Sequence, residues 1–85
     1  MKDKFKHQAK VLKDARIKAQ LSQADVAKLF KVHPQFISNI ERGANGIPDL
    51  YWNQLSKLIG PNGKNKLFQA FVKDLEDVFL SVIKD

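Results

Sequence analysis

The stretch from Leu21 to Gly43, LSQADVAKLFKVHPQFISNIERG, leaves the chain few ways to fold, because it holds two sets of helix start signals in one short run. Ser22 offers a hydroxyl to the free N–H groups of a first turn, and Asp25, three residues on, completes a capping-box pair. Val26, Ala27, Leu29 and Phe30 then supply the apolar positions of a helix over about 22–30. His33-Pro34 opens a second helix over about 33–42, since proline at the first helical position loses no hydrogen bond and presets φ. Ile37 and Ile40, three apart, form its buried stripe, and Gly43 after Arg42 is its stop. Ala27 and Ser38 are small where two helices must cross closely.

With Ile37 and Ile40 facing inward, Gln35, Phe36 and Asn39 share the outward face. Gln35 and Asn39 are i and i+4, so they lie one above the other. Amide side chains read adenine bidentately in the major groove, and an apolar ring can touch a thymine methyl. Phe36 has a second reading, folded back onto the core of the helix pair, and the sequence leaves both open.

The stretch resembles the helix-turn-helix of the Cro and phage-repressor family, the xenobiotic-response-element-like regulators. The matching residues are Gln23, Ala27, Val32 with His33 in the place of a serine, Ile37-Ser38 and Glu41-Arg42-Gly43, within about residues 11–59. Lys31 departs from the pattern, which has glycine there for a left-handed backbone. The resemblance implies an ion pair between Arg16 and Glu41 that ties the first helix to the end of the third. It also implies phosphate contacts from backbone N–H groups of the loop at Asn45 and Gly46.

Charge falls where this reading needs it. Residues 1–46 hold ten Lys/Arg against four Asp/Glu, and residues 47–85 hold five of each, so the whole net charge of +6 lies on the first half. A basic face is the electrostatic footprint of a polyanion binder. Eighty-five residues make one domain with a modest core. There is no cysteine, hence no disulfide or thiolate metal site. No apolar run approaches the ~20 residues of a membrane span. No apolar segment follows MKDKFKHQAK as it would in a secretory signal. The expected location is the cytoplasm, with the nucleoid.

Before Leu21, Phe5, Ala9, Leu12, Ala15 or Arg16, and Ala19 recur at helical steps, predicting a helix from Phe5 or Lys6 to Ala19 behind a frayed 1–4. Lys2, Lys4, Lys6, Lys10 and Lys13 make this segment basic. After Gly43, Ala44–Pro48 is a loop. A fourth helix, capped by Asp49, is expected to run to about Ile59 on Leu50, Leu55, Leu58 and Ile59, with Tyr51 and Trp52 in the core or at an interface rim. Gly60-Pro61-Asn62-Gly63 breaks the chain. A fifth helix should span about Lys64–Lys84. In it Phe68, Phe71, Leu75, Val78 and Val82 step by three and four, the spacing of a coiled-coil seam. Val72, Phe79 and Ile83 widen the stripe. One flank is expected in its own core and the other against a second copy; packing wholly on its own domain is the alternative. Asp74, Glu76 and Asp77 fit the polar face opposite the stripe.

No catalytic arrangement stands out. His7 and His33 are far apart and lack metal-ligand spacing. Gly60–Lys64 lacks the length and Ser/Thr of a phosphate loop. No cofactor, enzyme activity or small-molecule effector is expected. The expected fold is all-α: a five-helix, lambda-repressor-like domain, with residues 1–60 as the helix-turn-helix part and 61–85 as an amphipathic helix for dimerisation. The expected function is a homodimeric transcriptional repressor on double-stranded DNA with a two-fold symmetric operator. Gln35, Asn39, Phe36, Pro34 and His33 are the candidate base contacts, His33 alternatively a cap. Ser22, Gln23, Lys28, Lys31 and Arg42 join Asn45 and Gly46 on phosphates. Phe68, Phe71, Leu75, Val78, Phe79 and Val82 are the candidate dimer interface. The alternatives are an antitoxin whose fifth helix binds a toxin, a restriction–modification controller, and a protein-interaction module without DNA binding.

Overall fold

The computed structural model describes residues 4–84, with side chains placed through Ile83. Among them are five α-helices, one 3-10 turn and no strand: α1 Lys6–Lys18, α2 Gln23–Phe30, α3 Pro34–Glu41, the 3-10 turn Asp49–Tyr51, α4 Trp52–Ile59 and α5 Gly63–Lys84. The all-α expectation holds. Of the frayed segment expected at 1–4, Met1–Asp3 lie outside the described residues, as does Lys2 of the basic run; Lys4 and Phe5 form a turn.

Local chemistry sets the boundaries of α2 and α3. The Ser22 hydroxyl accepts from the Asp25 N–H at 3.0 Å, and the Asp25 carboxylate accepts from the Ser22 N–H at 2.9 Å. Those two bonds satisfy donors that a helix start leaves free. α3 begins with Pro34 at its first position, and the His33 ring nitrogen Nδ1 accepts from the Gln35 N–H at 3.2 Å. Between the two helices Lys31 takes the left-handed conformation, φ 58°, that the family pattern assigns to glycine. Its N–H and that of Val32 close back on the Lys28 and Ala27 carbonyls. Gly43, at φ 79°, ends α3, where a side chain would be strained.

Both short helices bury one face in a core to which every helix contributes. Leu12, Ala15, Val26, Ala27, Phe30, Ile37, Ile40, Ile47, Leu55 and Leu67 form it. Burying one large aliphatic side chain is worth about 1.5–3 kcal/mol, so this cluster is the main source of stability. Tyr51 stacks on Phe30 with ring centroids 5.2 Å apart. The Trp52 indole donates to the Ile47 carbonyl at 3.1 Å and meets Phe71 edge-on.

Four expectations need correction. Asp49 makes no side-chain cap; it opens the 3-10 turn, so α4 starts three residues later. Leu50 is 69% exposed and Leu29 51%, because the core closes without them. α5 starts at Gly63, one residue earlier than expected, where a Cβ would lie 2.6 Å from the Ser56 backbone. Only glycine lets α5 approach α4 so closely.

Asp74 is the largest correction. It lies on no solvated face but is 2% exposed, under the start of α1. Its two carboxylate oxygens accept from the His7 N–H at 2.9 Å and the Gln8 N–H at 3.1 Å. Phe5, the residue preceding α1, makes no side-chain cap of its own. A carboxylate beside helix N-terminal N–H groups is also favoured by the helix dipole. The cap of α1 thus comes from α5, across the fold. Gln8 extends the tie: its buried side-chain oxygen accepts from the Ile47 N–H at 2.8 Å. α5, α1 and the loop after α3 are therefore held in one chain of hydrogen bonds.

Candidate nucleic-acid interface

The angle between α1, α2 and α3 is held by one carboxylate. Arg16 donates to Glu41 twice, Nε to Oε2 at 2.6 Å and Nη2 to Oε1 at 3.0 Å. Its third group, Nη1, donates to the Leu21 carbonyl at 2.9 Å. Gln23 Nε2 adds a bond to Glu41 Oε1 at 3.1 Å. The pair is largely shielded, with side-chain exposures of 15% and 4%. The hydrogen bonds from Arg16 to Glu41 raise the Arg16 pKa above its ordinary value, against the opposing effect of burial. The ion pair read from the family resemblance is present, and the planar guanidinium gives it the bidentate form.

On this frame α3 turns Pro34, Gln35 and Arg42 outward, all exposed, with Asn39 half-buried beside them. Gln35 Nε2 donates to Asn39 Oδ1 at 3.0 Å, and Arg42 Nη2 donates to the same oxygen. Lys28 and Lys31 are exposed on α2 and the turn. The Ser22 hydroxyl is occupied by its cap, and Gln23 by Glu41. In the loop, the Ala44 and Asn45 N–H groups donate to the Asn39 carbonyl at 3.0 and 3.4 Å. Gly46 is half-buried against Phe5 and Gln8.

The structure also places the two residues that the sequence left with two readings. Phe36 folds back: it is half-buried and tilted against Tyr51 at a centroid distance of 5.8 Å. The apolar ring gains more from Tyr51 and the core than from solvent. His33 is a cap, through Nδ1, with its remaining ring edge exposed.

Sequence reasoning missed the joint between α1 and α5. His7, Asp74 and Asp77 bring ligand atoms within 4.8 Å of one another. Both Asp74 oxygens already accept backbone N–H bonds, and His7 Nε2 lies 2.9 Å from Asp77 Oδ2. The cluster is explained by capping and pairing across the fold. No spacing signal could have found it, since the two segments are 67 residues apart.

The other exposed feature is apolar. Phe68, Phe71, Leu75, Val78, Phe79, Val82 and Ile83 are 37–70% exposed. They lie on the flank of α5 beside the one that buries Leu67, Ala70 and Asp74. Among the described residues no helix is long and apolar enough to cross a membrane.

Two short helices at a fixed angle, the second baring amides and an arginine, define a DNA-binding domain. A family model described as Helix-turn-helix matches residues 12–60, more than half of the chain. The chain belongs to this helix-turn-helix family of DNA-binding regulators, of the Cro and phage-repressor type. Neither the curated proteins nor the solved structures give a match.

Proposed function

We propose that the chain is a homodimeric repressor that reads a two-fold symmetric operator, with α3 in the major groove and α2 across the backbone. The observation that carries this is the outer face of α3: Gln35, Asn39 and Arg42 in one line, with Lys28 and Lys31 exposed on α2 and the turn that precedes α3. Gln35 and Asn39 read base edges, with Pro34 as an apolar contact. Lys28, Lys31 and the N-terminal end of α2 at Ser22 and Gln23 sit on phosphates, where contacts give affinity but little sequence information. No catalytic step and no effector belong to this reading.

The apolar flank of α5 supports the dimer. A contiguous exposed patch on a soluble monomer seldom exceeds a few hundred Å². Seven large apolar residues left 37–70% exposed approach the roughly 800 Å² per partner of a standard interface. The occupant argued for is a second copy of α5, because a seam of period three and four is self-complementary in a helix pair. The same flank suits a toxin chain, the second reading.

Selection of bound sequences from a random DNA pool tests the proposal. A two-fold symmetric site is expected, with binding that falls by about 0.9 in log K per phosphate contact for each log unit of salt. Asn39→Ala and Gln35→Ala should each cost about 1–3 kcal/mol on that site and relax one base pair, while Lys28→Ala weakens all sequences alike. Binding indifferent to salt would overturn the reading, and an asymmetric site would overturn the dimer.

A further inference from the structure

The outer face of α3 is already hydrogen-bonded to itself, and this restricts what it can read. Gln35, Asn39 and Arg42 stand at i, i+4 and i+7. Asn39 Oδ1 accepts from Gln35 Nε2 at 3.0 Å and from Arg42 Nη2. A carbonyl oxygen has two lone pairs, and both are used. The orientation of the amide follows from chemistry: a guanidinium carries donors only, so the Asn39 atom facing it must be the oxygen. The Asn39 backbone is pinned as well, since its carbonyl accepts from the Ala44 and Asn45 N–H groups.

An asparagine reads adenine by accepting from N6 and donating to N7 at once. With its oxygen taken, Asn39 can only donate, through Nδ2. Arg42 stands beside it with its remaining N–H groups. Two donor groups side by side match the N7 and O6 acceptors of guanine, the one base edge with two acceptors in the major groove. Gln35 gives one of its two Nε2 hydrogens to Asn39 and keeps the other, together with its oxygen as an acceptor.

We propose that Arg42 sets specificity: by holding Asn39 Oδ1 it converts Asn39 from an adenine reader into a donor for guanine, and its remaining N–H groups supply the second donor to that base. This assigns Arg42 to the base code and not to the phosphate backbone. It rests on the reading above that α3 enters the major groove.

The test is selection from a random DNA pool with the full chain and three variants, each checked for helicity by circular dichroism. Asn39→Ala identifies the base pair read by Asn39, as the one position where preference is lost. Wild type should prefer guanine there. Arg42→Ala should shift that pair alone toward adenine, by about tenfold in relative affinity. Arg42→Lys restores a donor to the amide oxygen and with it the guanine preference. Wild-type preference for adenine at that pair would overturn the inference. So would an Arg42→Ala protein that binds all sequences more weakly with its preference unchanged, which is the behaviour of a phosphate contact; the DNA-reading proposal would survive either result. If wild type enriches no sequence, that proposal fails and this one with it.

Discussion

At the scale of single residues, Glu41 holds the most structure with the fewest atoms. Its two oxygens receive Arg16 from α1 and Gln23 from α2, while its own backbone ends α3. Glu41→Ala leaves Arg16 shielded and unpaired. Single-sided breaks of buried pairs cost about 3–5 kcal/mol, and a drop near the lower end is expected in chemical denaturation, since Arg16 keeps its bond to Leu21. An unmoved midpoint would mean that the pair contributes nothing. Lys31 is the opposite case. It holds a left-handed backbone at φ 58° that disfavours any side chain. Lys31→Gly should raise stability by about 1 kcal/mol and weaken DNA binding at low salt, so that stability and affinity move in opposite directions. Loss of both would show the side chain packing in a way its exposure contradicts.

At the scale of elements, α1 and α2 begin by different devices. α2 uses its own capping box, and that box is pH-dependent. The N–H and hydroxyl of Ser22 stabilise the Asp25 carboxylate, so its pKa lies below the ordinary 3.8. A group with a lowered pKa in the folded state adds stability above its unfolded value and loses it as pH falls through the folded one. Thermal unfolding of wild type and Asp25→Asn should therefore differ at neutral pH and converge well below pH 3.8. A constant difference across that range would refute the carboxylate's part in the cap. α1 has no such box, and its cap is Asp74 of α5. Asp74→Ala leaves two shielded N–H groups unpaired, each a loss of about 1–3 kcal/mol. Hydrogen exchange should speed at His7 and Gln8 first; unchanged rates there would show that water replaces the carboxylate at no cost.

At the scale of the whole molecule, which measures 41 by 27 by 21 Å, α5 is the longest helix, at 22 residues. Its first half packs on α1 and α4, and from Leu75 to Ile83 every residue is exposed. The proposed dimer places that half against its copy, and Val78→Asp tests it. Val78 lines a cleft of about 170 Å³ with Phe5, Phe71 and Leu75, so Val82→Asp, at 70% exposure, serves as a second variant clear of the core. Both should sediment as folded monomers with much weaker operator binding, since each half must then bind alone. A wild type already monomeric at tens of micromolar would sink the dimer.

The chain's own pattern was enough for the elements whose signals are local. The Ser22–Asp25 box, Pro34 after His33, Gly43 and the Ile37–Ile40 step place α2 and α3 to within a residue. Helix starts and stops are decided by atoms a turn away, so adjacent residues carry them. The Arg16–Glu41 pair was legible only through the family pattern, because nothing in either neighbourhood points to the other. Tertiary structure alone decided the rest. Whether Phe36 met solvent or Tyr51 depended on where the 3-10 turn brought Tyr51. Asp74 reads as one more charge on a polar face until the fold sets it beneath two N–H groups that no nearby side chain reaches. The order of Gln35, Asn39 and Arg42 is visible in the sequence, but the sharing of one oxygen among them is not. That sharing depends on rotamers, and rotamers are chosen by neighbours in space.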